Sequence, residues 1–232
     1  MPDNKLKIGV AISCYNKGNF VATNLNVFKA LWKSMPRVAV SCNDPKTYSK
    51  LKKILEINVV RGEDLPVEKG AKFKQQLRAR QYDTIKKSVT EAAKNTDYVI
   101  HWHADAFALK EESVISIVEK MHKEGYLFAG RGFWKDYVEL KVPDGDLDDH
   151  FFVVNSEHVR NTTFYSEEKE QLDHVSKLLS AGVCSEGILS NLMQQVTPKE
   201  KIYIYSDMSE CEVLSSQKTD KRYPDKIPHR TL

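Results

Sequence analysis

Short apolar runs alternating with amphipathic stretches constrain this chain more than any other feature. KIGVAISCY (7–15) is apolar with little polar alternation, the pattern of a strand covered on both faces. Asn16-Lys17-Gly18-Asn19 breaks it. Over 20–32, Val21, Leu25, Phe28, Leu31 and Trp32 recur at helical spacing until Pro36 stops the pattern. The unit then repeats: RVAVSC (37–42) predicts a second buried strand, Asn43-Asp44-Pro45 a turn, 47–56 a helix and INVVRG (57–62) a third strand. A polar loop over 64–72 leads into a long helical stretch, 73–94, rich in Lys, Arg and Gln. DYVIHWHADAF (97–107) predicts a fourth strand whose end turns abruptly polar, and 111–123 an amphipathic helix with Val114, Ile117, Val118 and Met121 on one stripe. Strands separated by crossover helices imply a mostly parallel sheet with helices on both faces.

Beyond residue 125 the pattern changes. YLFAGRGFW, VELKVPDG and DHFFVVN are strand-like and separated by Gly and Pro turns, which predicts antiparallel pairing; 167–181 and 185–196 read as helices, IYIYS (202–206) as a last strand and 215–232 as a polar tail. At 232 residues the chain stays below the size at which a single core stops growing, so the halves 1–125 and 126–232 belong to one domain. With 41% hydrophobic and 29% charged residues it has the balance of a soluble globular protein. The net charge of +3 gives no field that would favour nucleic acid, and no stretch approaches the roughly 20 apolar residues of a spanning helix. Four dispersed cysteines with no C-x-x-C pair fit reduced thiols in the cytoplasm, for a free protein or a piece of a longer polypeptide.

Open α/β sheets bind ligands beyond the carboxyl ends of their strands. Here those ends are polar and aromatic: Ser13-Cys14-Tyr15-Asn16-Lys17 after the first strand, Asn43-Asp44 after the second, His101-Trp102-His103-Ala104-Asp105 at the fourth. There is no Walker sequence and no G-x-G-x-x-G, so phosphates must be held another way.

SCYNKGNFVATNLNVFKAL, GAKFKQQLRARQY and DYVIHWHADAFAL together resemble the nucleotide-sugar-binding half of GT-A glycosyltransferases, family-2-like enzymes above all, over residues 6–123. The resemblance implies an α/β, GT-A-like, Rossmann-type fold with a mostly parallel sheet and a small antiparallel acceptor-side appendage. Residues 1–125 would bind the nucleotide sugar and 126–232 the acceptor. It implies that Ser13, Tyr15, Asn16 and Asp44 meet the nucleotide, that Arg78 or Arg80 holds it, and that His103-Ala104-Asp105 stands where the family carries D-x-D. There, Asp105 and His103 would hold a divalent metal, Mn2+ or Mg2+, on the diphosphate. His103 replaces the first carboxylate, which makes the site softer and favours manganese over magnesium. His101, two residues earlier in a strand, shares its face with His103 and reads as buried.

An inverting transfer needs a carboxylate to take the acceptor proton as the oxygen attacks. GVCSEGIL (182–189) resembles the family's helix-start acidic motif and nominates Glu186; Asp148 and Asp149, preceding HFFVVN, are rivals. Trp134 beside Gly130 and Gly132 fits an acceptor-stacking ring or a core residue, and His229 a metal or diphosphate ligand or a solvated tail. The resulting expectation is a hexosyltransferase of carbohydrate biosynthesis, moving a sugar from a UDP-sugar donor to a glycan or other hydroxyl acceptor. A sugar-nucleotide nucleotidyltransferase and a non-catalytic nucleotide- or glycan-binding module are the alternatives.

Overall fold

A computed structural model of the chain describes residues 6–63, 73–132, 147–162, 169–180, 185–205 and 213–215. Its centre is a seven-stranded sheet of order β3-β2-β1-β4-β7-β6-β8, formed by β1 (Ile8–Cys14), β2 (Arg37–Cys42), β3 (Ile57–Arg61), β4 (Tyr98–His103), β6 (Phe128–Gly132), β7 (Leu147–Asn155) and β8 (Ile202–Tyr205). The first four strands run parallel, β7 runs antiparallel to both β4 and β6, and β8 is parallel to β6. A separate antiparallel pair joins β5 (Ala106–Ala108) to β9 (Val213–Ser215). The antiparallel strands expected after residue 125 are therefore present, but β6 and β7 extend the main sheet. VELKVPDG, Trp134 and His229 lie outside the described residues.

Two apolar layers cover the sheet. On one face α1 (Gly18–Leu31), α2 (Pro45–Leu51) and α4 (Glu111–Glu124) pack against Val10, Ile12, Val38, Val40, Trp102, Phe151 and Val153. On the other, α3 (Phe73–Ala92), α5 (Ser156–Asn161), α6 (Lys169–Ser180) and α7 (Ser185–Val196) meet Ala11, Ala39, Val99, Phe128, Phe152 and Val154. Burial on both faces explains why β1 and β2 read as unbroken apolar runs. The α4 stripe of Val114, Ile117, Val118 and Met121 is buried as its spacing predicts, and Gly125 ends that helix with a left-handed φ of 71° that a Cβ would disfavour.

Two local differences have plain causes. Leu31 is 53% exposed, because ten residues past Val21 it has rotated off the buried stripe; Asn24 occupies that stripe instead. The fourth strand stops at His103, where the Ala104 N–H donates to the Ser13 carbonyl at 2.9 Å and the chain turns before β5. No helix among the described residues is long and apolar enough to cross a membrane.

Candidate active site

The site grows from the register of β1 between its neighbours. Ser13 pairs with Ser41 on one side and His103 on the other, and Cys14 with Cys42, so the polar ends of three strands stand side by side. The free thiol of Cys42 donates to the Tyr15 carbonyl at 2.9 Å and lies 3.6 Å from that of Asp44, tying the first two tips together.

Tyr15 is 39% exposed, and the buried Arg80 of α3 stacks its guanidinium 4.7 Å from the centre of the ring. Such a stack pre-orients a cation beside an aromatic plane. Arg78 is half-buried on the same helix, two residues away and so about 200° round it. Arg80 thus meets the ring that follows the carboxyl end of β1. Asn16, next to Tyr15, is exposed. Asp44 is half-buried and caps α2, its carboxylate accepting from the Thr47 N–H at 2.7 Å. The hydrogen bonds from Thr47 hold the Asp44 carboxyl below its ordinary range.

At the tip of β4, Ala104 is buried and Asp105 is 3% exposed. The Lys17 ammonium forms an ion pair with Asp105. Burial opposes ionisation of this carboxyl, but the Lys17 ammonium, helped by His103, outweighs it and lowers the pKa. His103 is half-buried, with Nε2 4.0 Å from Asp149, and its ring centre is 4.7 Å from that of His150. Asp149 on β7 is fully buried; its carboxylate accepts from Gln81 Nε2 at 2.7 Å and lies 3.3 Å from His150 Nδ1. It stands behind His103, away from solvent. Beneath them His101 is fully buried, stacked on Phe152 with ring centres 4.6 Å apart, and neither ring nitrogen has a hydrogen-bond partner among the described residues. Burial, then the neighbouring His103 and His150, hold its pKa well below the ordinary value, so it stays neutral.

Glu186 is the second residue of α7, a helix packed on β7 and α3; its side chain lies outside the described residues, as does that of Asp148.

The pattern of the sequence did not single out Asn24 or Gln81. Asn24 is fully buried on α1: its amide donates to the Ala104 carbonyl at 2.9 Å, and its carbonyl accepts from the Trp102 indole at 3.1 Å. It fixes the turn that presents Asp105. The signal was a polar residue on an otherwise apolar helical stripe.

A divalent metal fits these residues poorly. The Asp105 carboxylate is engaged by the Lys17 ammonium, which would repel a cation. Among the described residues no group of three or more His, Cys, Asp or Glu side chains is arranged to hold a metal ion.

The sequence matches no protein-family model, and no curated protein matches it. In three dimensions it superposes on the galactosyltransferase LgtC in complex with donor and acceptor sugar analogues, with a TM-score of 0.57 over 86% of this chain and 73% of that one, at 8% identity. An active-site mutant of LgtC gives a TM-score of 0.55 over the same shares, at 10% identity. The chain has a GT-A-like α/β fold, that of these glycosyltransferases.

Proposed function

We propose that the chain transfers a sugar from a nucleoside diphosphate donor, UDP-linked in this reading, to a hydroxyl acceptor with inversion at the anomeric carbon. The observation that carries the reading is the gathering of Tyr15 with Arg80 and of Asp105 with Lys17 at adjacent strand tips, where open α/β sheets take ligands. Residues 1–125 form the donor side and 126–232 the acceptor side.

The nucleobase lies against Tyr15 and Asp44, with Ser13 and Asn16 lining the strand end, and Arg80 holds the diphosphate. As the bond from the anomeric carbon to the β-phosphate oxygen breaks, its electron pair goes to that oxygen. Cations already in place stabilise the growing charge without reorganising. The acceptor oxygen forms the new bond from the opposite side, and its proton passes to Glu186. Glu186 is the candidate because it is the second residue of α7, a helix that packs on β7 and α3. Asp149, being enclosed and held by Gln81, acts as a buried charge behind His103 rather than by meeting the acceptor.

Titration calorimetry with UDP tests the donor half of this account. Removing hydrogen bonds to a charged group costs about 1.5–3 kcal/mol, so Arg80→Ala should weaken UDP binding roughly 10- to 100-fold. Arg78→Ala should leave it within about twofold of wild type. Equal affinities in Arg80→Ala and wild type would remove Arg80 from the site. Release of UDP from UDP-sugars only when an acceptor is added distinguishes transfer from mere binding.

A further inference from the structure

The contact between Lys17 and Asp105 joins residues 88 apart in sequence, one following β1 and the other following β4. Its two halves differ in exposure: the Asp105 side chain is 5% exposed and that of Lys17 is 43%. The carboxylate is thus enclosed while the ammonium remains open to solvent. An ammonium has three N–H donors, and one is enough for Asp105; the others remain for a second anion. Lys17 also sits at the N-cap of α1, a 14-residue helix with no side-chain cap and no acidic residue in its first turn. The amide ends of that helix add positive potential beside the ammonium. His103, half-buried at the end of β4, supplies no carboxylate to offset it.

We propose that Lys17 is the resident cation of this crevice: its ammonium takes the place at Asp105 that a divalent metal would fill, and it neutralises the donor diphosphate directly, so that donor binding needs no divalent cation. The diphosphate part of this inference rests on the donor reading above. The displacement of metal by Lys17 does not, and it can be measured alone.

The experiment has two arms on the full chain. In the first, Mn2+ alone is titrated and followed by its electron paramagnetic resonance signal. The wild type should leave the signal of free Mn2+ unchanged, whereas Lys17→Met should bind Mn2+, and adding Asp105→Asn to that variant should abolish the gain. In the second, UDP is titrated in EDTA and in Mn2+. Wild-type affinity should agree within about twofold between the two, and Lys17→Met in EDTA should bind at least about tenfold more weakly. Mn2+ binding by the wild type, or a wild-type UDP affinity raised about tenfold by Mn2+, overturns the proposal, as does a folded Lys17→Met that gains no Mn2+ binding. The wild-type arms need no variant to fold. If UDP binds under no condition, the donor reading fails, while the Mn2+ arm still decides the role of Lys17.

Discussion

Replacing Glu186 with glutamine should lower kcat for glycosyl transfer by about a hundredfold to ten-thousandfold, the range a positioned general base contributes. UDP affinity should remain within about twofold of wild type, because the substitution leaves the donor contacts of Tyr15, Lys17 and Arg80 in place. That split between kcat and donor binding separates a base from a residue that merely supports the fold. Glutamine keeps the size and the hydrogen-bonding capacity of glutamate but cannot accept the proton of the attacking hydroxyl. Steady-state kinetics at saturating donor, with the anomeric configuration of the product read by proton NMR, would check it. An unchanged kcat would move the base elsewhere, with Asp148 as the next candidate.

The second large effect is on stability. Trp102→Ala should destabilise the protein by about 3–5 kcal/mol, the usual range for deleting a large aromatic from a packed core. Trp102 is fully buried, stacked on Phe151 with ring centres 6.1 Å apart and packed against Phe28 and Trp32. Its loss also leaves the Asn24 carbonyl without the indole donor, on the same side chain that holds the Ala104 carbonyl. For a domain of this length the melting temperature should drop by roughly 6–20 °C. Donor affinity should suffer too, since the turn carrying Asp105 loses its anchor. Calorimetric melting of the variant checks the first consequence and UDP titration the second. A shift of under about 1 kcal/mol would mean that the core around β4 can repack, contrary to its density.

Much of this was legible in the residues because burial on both faces leaves a simple mark. KIGVAISCY and RVAVSC had to be covered strands, INVVRG is the half-buried strand at the edge of the sheet, and the α4 stripe fell where its spacing put it. Pairing partners were less legible. Nothing local in DHFFVVN says that its strand lies between β4 and β6, since that register is set by contacts such as His101 opposite Phe152, between residues far apart in sequence. The candidate site followed the same division. Tyr15 and Asp105 stood out as polar ends of apolar runs, and the rule that ligands gather at strand ends did the rest. Lys17 was in the same loop, yet its pairing with Asp105 depends on how the two turns close and has no local signature. The enclosure of Asp149 behind His103 is likewise a product of β7 joining β4, not of the residues beside it.

The central claim is that the carboxyl ends of β1, β2 and β4 form one crevice for a nucleoside diphosphate. Its most direct test is a crystal structure of the protein grown with UDP. The account predicts the uracil ring against Tyr15 and the diphosphate within hydrogen-bonding reach of Lys17 and Arg80. UDP lodged instead at the opposite end of the strands, in the cleft of about 530 Å³ lined by Leu6, Ile8, Trp32, Met35 and Arg37, would contradict it.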